Sequence, residues 1–255
     1  MSEKKHINRI IDVAMLAGTL LIQSGSEIYR VEDTMIRIAH SQGLEKLNVL
    51  AMPAAIFVSV EETNLSRMKR ILSSSYNIEK VCDVNQVSRQ LASGQINLEE
   101  AYQELKKLKD KPGPYKAIES LAAATIAAPF FTIMFGGNLT DAIGAGLATF
   151  VGFILYMLMD KSAKIPFVSA FIGAFSFTVL GYIWVQFSGF PSNMDWIMAG
   201  CVMPFVPGIA LTNAVRDLMT NHLNTGMSKL FESLLIVFAL GAGTTFATIL
   251  MNQLL

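Results

Sequence analysis

Charge is scarce in this chain. Only 16% of its 255 residues are Asp, Glu, Lys or Arg, where a soluble domain carries about 25%. Part of it is therefore built for surroundings other than water. Neither sign is in excess, with 20 basic against 20 acidic residues, so nothing in the charge supports nucleic-acid binding. Cysteine is nearly absent. Cys82 and Cys201 fall in different regions, which excludes a disulfide framework or a thiolate metal site. The three histidines, His6, His40 and His222, are scattered and argue against a His-based metal centre. No nucleophile–base pair, phosphate loop or metal-ligand spacing occurs, so enzyme chemistry has no positive support and no cofactor is expected. A secretory signal is also disfavoured: the start is basic, but Asp12 interrupts it, and Val13–Ile22 has no small-residue cleavage signature behind it.

What charge there is lies at one end. Residues 1–116 hold 16 of the 20 Lys and Arg and 14 of the 20 Asp and Glu, and the remaining residues hold 4 and 6. Mean hydropathy over the chain is +0.45. The expectation is an α-helical membrane protein of about five transmembrane helices, residues 116–255, behind an N-terminal cytoplasmic α+β domain, residues 1–115.

In the first region, Ile7–Gln23 reads as a mostly buried helix whose polar residues Asn8, Asp12, Thr19 and Gln23 keep to one narrow face. It is too short and interrupted to cross a bilayer, which takes roughly 20 apolar residues. Ser24-Gly25-Ser26-Glu27 reads as a capping box opening a second helix. That helix has Ile28, Val31, Met35 and Ile38 on one face, Arg30, Asp33, Arg37 and His40 on the other, and a stop at Gly43. Residues 47–60 around Pro53, a turn at Glu61–Ser66 and Met68–Ser73 predict two or three short strands. Asp83 with Gln86, and Asn97 with Glu100, predict two further helix starts, the second running Leu98–Lys109. Lys111-Pro112-Gly113-Pro114 ends the domain.

Uncharged runs follow at Ser120–Thr140, Ala142–Met159, Ile165–Met194, Trp196–Val215 and Ser233–Leu255, each long enough for a ~30 Å hydrocarbon core. Lys106, Lys107, Lys109, Lys111 and Lys116 precede the first run. Lys161 and Lys164 follow the second, and Arg216 and Lys229 the fourth, while the intervening loops have neither Lys nor Arg. The alternation predicts a cytoplasmic N-terminus and an external C-terminus. Five spans would be one half of an inverted-topology pair, so the expected partner is a second membrane polypeptide.

The most unusual stretch is Met203-Pro204-Phe205-Val206-Pro207-Gly208. Two prolines remove two backbone donors, and Gly208 loosens the same turn. Such a break is tolerated where it is packed in protein or lines a cavity. A packed kink would read the same way, but Thr212 and Asn213 nearby favour the cavity. Arg216 and Asp217 read as an interfacial anchor pair or a gate. Pro129 and the small residues Gly144, Ala148 and Gly152 read as packing devices, and Asp141 as a solvated loop residue. Glu27, Arg30, Glu32, Asp33 and Arg37 read as a solvated helix face with weak ion pairs. Of these, Glu27, Arg30 and Asp33 are the site candidates of the first domain.

Two stretches carry a resemblance. The first is Ala17-Gly18, Ser24-Gly25-Ser26-Glu27-Ile28-Tyr29-Arg30-Val31-Glu32-Asp33-Thr34 and Pro53. The second is Pro204, Val206-Pro207-Gly208, Leu211-Thr212-Asn213-Ala214-Val215-Arg216-Asp217 and Asn224-Thr225-Gly226. Together they resemble the threonine/serine exporter family, over nearly the whole chain and in the order of its parts. In stopping after about five spans the chain is similar to the larger subunit of the split, two-protein members, associated with export of C4-dicarboxylates such as succinate. The resemblance implies a subunit of a secondary exporter in the bacterial cytoplasmic membrane. Its substrate is a small carboxylate metabolite, threonine/serine or a dicarboxylate, and association of several copies stays open. On this reading Pro204, Pro207 and Gly208 open the site, Thr212 and Asn213 offer polar contacts, Arg216 faces a substrate carboxylate and Asp217 stands beside it. The rival classes are a membrane-anchored enzyme with its catalysis in residues 1–110, and a membrane sensor or scaffold that moves nothing.

Overall fold

The computed structural model describes residues 3–61, 64–72, 75–113 and 115–254. Parts of the expected turn at 61–66 (Glu62 and Thr63), Ser73, Pro114 and Leu255 lie outside them. By contact the chain groups into two compact units, Met1–Pro114 with Ala210–Leu230, and Tyr115–Ile209 with Phe231–Leu255. The grouping is discontinuous in sequence, whereas the expectation divided the chain at a single point.

The first unit opens with α1 (Glu3–Gln23) and α2 (Ile28–Ser41), followed by the strands β1 (Leu47–Met52), β2 (Ala55–Val60) and β3 (Leu65–Arg70). The strands form an antiparallel meander in the order β1-β2-β3, with Val49 opposite Val58 and Val58 opposite Arg67. Alternation decides which face is covered: Ile56, Val58 and Val60 are buried, while Phe57 between them is exposed, as pleating requires. The buried side joins Ile10, Leu21, Val31, Met35 and Ile38 in one core. A Cβ on Gly18 would stand 2.3 Å from Met35 Sδ, so α1 approaches α2 only because residue 18 lacks one. The polar stripe of α1 is answered by β3, where Arg67 donates to Asp12 at 2.5 Å and to Asn8 at 2.6 Å.

Two helix starts differ from expectation. α3 (Ile78–Ala92) is capped by Asn77, which accepts from the amide of Lys80 at 2.9 Å, and Asp83 lies inside it, paired with Lys111. Asn77 stands immediately before the first turn, whose amides have no partner within the helix, whereas Asp83 lies inside the helix, where the amides are already bonded. Ser24 to Glu27 form no capping box either. The Ser26 amide donates to Leu21 O and the Gly25 amide to Ile22 O, each at 3.0 Å. With Gly25 at φ +79, these bonds close α1 as a Schellman stop. The box at Asn97 and Glu100 is present and opens α4 (Leu98–Asp110). Asn97→Ala should cost about 1 kcal/mol, seen as a lower denaturant midpoint with unchanged slope. An unchanged midpoint would show that the box contributes nothing.

The second unit holds α5 (Ala117–Met134), α6 (Leu139–Ala163), α7 (Pro166–Phe187), α8 (Met194–Val202) and the later part of α10 (Leu223–Leu254). α9 (Gly208–Met219) belongs almost entirely to the first unit. Among the described residues four helices, α5, α6, α7 and α10, are long and apolar enough to cross a membrane, or five spans if α8 and α9 are counted as one broken span. Small residues set the spacing: a Cβ on Gly152 would stand 3.1 Å from Gly173 O across the α6–α7 contact. Asp141 is buried rather than solvated. Its carboxylate accepts from the amides of Asn138 at 3.0 Å and Asn193 at 2.6 Å, so one carboxylate holds the starts of both α6 and α8. A charge placed there is satisfied by backbone donors instead of water.

Candidate functional site

Pro204, Pro207 and Gly208 lie where the helical path is interrupted. After α8 comes one 3-10 turn, Met203–Phe205. Val206 is extended at φ −66, ψ 129, and the Gly208 amide donates to Val206 O at 2.8 Å, a three-residue turn around Pro207. Phe205 is buried against Phe153, Tyr156 and Phe177, with ring centroids 5.3 to 5.6 Å away.

Beyond the break, α9 presents its polar residues within the first unit. Asn213 Nδ2 donates to Gly25 O at 3.0 Å. Arg216 pairs with Glu27 Oε1, while Glu27 Oε2 meets Arg30 at 2.5 Å. Glu27 is thus gripped by two guanidiniums, its side chain 8% exposed against 52% for Arg216. The Arg30 guanidinium is held above its ordinary pKa, first by the bond to the Tyr29 hydroxyl and then by the Glu27 charge.

Asp217 is fully buried and does two things. Its Oδ1 accepts from the Ile28 amide at 3.0 Å and its Oδ2 meets Lys229 Nζ at 2.7 Å. α2 starts without a cap from its own Glu27 side chain, and Asp217 provides the missing acceptor at its N-terminus, where a negative charge is favoured. Lys229 also reaches Ser26 O at 3.4 Å. It comes into range because the chain reverses at Thr220–His222, with Asn221 in the left-handed region at φ +63, and α10 begins at Leu223. A Cβ on Gly226 would stand 2.9 Å from Ala214 O, so this glycine lets α10 lie close on α9.

The two sequence stretches that stand out, residues 24–34 and 204–226, therefore meet: Gly25, Ser26, Glu27 and Ile28 bind Asn213, Arg216, Asp217 and Lys229. The expectation of a solvated charged face holds only for part of α2. Asp33 pairs at 2.5 Å with Arg37 on the exposed surface, outside this cluster. Glu27 is buried, and Glu32 accepts from the Ala51 amide at 2.8 Å. Sequence reasoning named Lys229 only as a topology marker. Its signal was a lone cation near the start of a long apolar helix, 12 residues after Asp217 across a turn. Thr212, one turn before Arg216, lines with it an open depression of about 680 Å³, together with Leu211, Val215, Met219 and Thr220. The arrangement offers a guanidinium already engaged by one carboxylate, half exposed, beside an open face.

The chain matches the family model described as "Putative threonine/serine exporter" over residues 12–251. The "Probable succinate transporter subunit YjjP" of Klebsiella aerogenes is 20% identical over 248 residues, covering 96% of this chain and 94% of that protein. Its namesake in Escherichia coli K12 is 19% identical over 232 residues, with 90% of each covered. The "Probable threonine/serine exporter" of Mycobacterium tuberculosis is 19% identical over 242 residues, 93% of this chain but 45% of that protein. No solved structure matches the chain. These names indicate a transporter rather than an enzyme.

Proposed function

The chain belongs to the threonine/serine exporter family, and from that premise we propose that it is a membrane subunit of a secondary exporter of small carboxylate metabolites. The observation that carries the site is the convergence of Asn213, Arg216, Asp217 and Lys229 on Glu27 and the backbone of Gly25–Ile28. Helices α5, α6, α7, α10 and the broken pair α8–α9 span the bacterial cytoplasmic membrane. The N-terminal α+β part is cytoplasmic and the C-terminus external, as the placement of Lys and Arg supports.

In this reading Glu27 occupies the place of a substrate carboxylate. An incoming carboxylate exchanges with it at Arg216, whose planar fork suits such a group. The exchange loosens the hold of α9 on α2, and the interruption at Pro204–Gly208 absorbs the movement. Between the two substrate classes, coverage favours a C4-dicarboxylate such as succinate. The chain spans nearly the full length of the relatives named for succinate transport and 45% of the one named for threonine and serine. The word "subunit" in the former names supports a second membrane protein as partner.

The test is export of labelled succinate, threonine and serine from cells lacking this gene, the gene of the partner subunit, or both. Deletions should lower efflux of one class, and the chain reconstituted alone should give no saturable flux. Arg216→Ala and Asn213→Ala should each reduce export about tenfold at normal membrane levels, the loss expected when a hydrogen bond to a charged group or a positioning contact goes. Full export by both variants would remove the site assignment, and saturable flux from the chain alone would remove the partner.

A further inference from the structure

The first unit carries a second concave surface, away from the α9 residues just described, which the export reading does not use. It is a cavity of about 550 Å³ walled by α1, β3 and α4. Four cations, Arg67, Lys69, Lys106 and Lys109, line it against two carboxylates, Asp12 and Asp110. One cation is already committed, since Arg67 binds Asp12 and Asn8. Among the described residues no ion pair engages the ammonium of Lys69, Lys106 or Lys109. The floor is Met15 and Leu16 of α1, with Met15 buried.

Three uncommitted ammoniums brought by two separate elements to one hollow leave a local positive excess in a chain of zero net charge. Concave walls concentrate such a field. The donor set also selects the anion. A carboxylate is best met by a guanidinium fork, and the one guanidinium here is occupied, whereas lysines act as separate point charges around a group with several charged oxygens. From this we infer that the α1–β3–α4 cavity binds a phosphate-bearing ligand through Lys69, Lys106 and Lys109. The phosphate comes either from a small soluble molecule or from a lipid headgroup, the latter because α4 ends at Asp110, seven residues before the apolar helix α5 begins at Ala117.

The inference stands apart from the export site and is tested without transport. The full chain is placed in nanodiscs of zwitterionic phosphatidylcholine and titrated with pyrophosphate by calorimetry. Saturable binding should weaken about tenfold in Lys69→Gln/Lys106→Gln/Lys109→Gln, as three solvent-screened charges are lost. It should be unchanged in Lys4→Gln/Lys5→Gln/Lys107→Gln, which removes the same charge elsewhere. Repeating the titration in discs containing phosphatidylglycerol separates the sources. Weaker pyrophosphate binding by the unaltered chain, with no change in the cavity variant, identifies the lipid headgroup; equal binding in both discs identifies a soluble phosphate. Absence of saturable binding, equal weakening in the two triple variants, or succinate binding as tightly as pyrophosphate would each overturn the assignment.

Discussion

Asp217→Ala should lower the unfolding midpoint of the full chain by about 10 °C, since breaking a buried ion pair from one side costs about 3–5 kcal/mol and each kcal/mol moves a domain of this size by about 2–4 °C. The reason lies in what that carboxylate touches. It has no solvent exposure, and Lys229, its partner at 2.7 Å, is 15% exposed. Alanine takes the carboxylate from a nearly buried ammonium and, in the same step, removes the acceptor for the Ile28 amide. Loss of a helix cap alone is worth about 1 kcal/mol. Asp217→Asn should be milder, because an amide oxygen can still accept from Ile28. The double variant Asp217→Asn/Lys229→Gln should recover most of the loss, since no uncompensated charge remains. The measurement is thermal unfolding of purified protein in detergent, with the three variants side by side. A wild-type midpoint for Asp217→Ala would show that the contact between α9 and α2 carries little of the unit's stability.

The second large effect concerns the interruption before α9. In Pro204→Ala/Pro207→Ala, two residues that cannot donate become two that can, and each exchange favours a helix interior by about 3 kcal/mol. The segment Met203–Gly208 should then close into continuous helix, replacing the 3-10 turn and the bond from Gly208 to Val206 O. The protein should be at least as stable as before. Export should nevertheless fall to the level of cells lacking the gene, because the chain can no longer bend between Phe205, held among three aromatic rings, and Arg216, held by Glu27. The comparison is made on variants that reach the membrane in normal amounts. Normal export by the double variant would make the interruption a packing kink and remove it from the mechanism.

What the sequence determined by itself is most of what depends on near neighbours, the start of α3 at Asn77 rather than Asp83 being the exception. Uncharged runs of about 20 residues can satisfy their own backbone only as helices, and four of those expected are helices of that length. Prolines break α8 from α9 whatever surrounds them, and Asn97 finds its acceptors and donors within three residues. The candidate site was legible as two separate strings. What only the tertiary structure decided is how the strings are used. Ser24-Gly25-Ser26-Glu27 can either start or stop a helix, and it became a stop because the start of α2 is capped by Asp217, 189 residues away. Glu27, freed from capping, turned inward to two arginines, and Asp141 left the solvent for the amide of Asn193. Each outcome rests on a polar group finding a partner far along the chain. A buried carboxylate costs far more unpaired than paired, so its partner decides its place, and no local pattern names that partner.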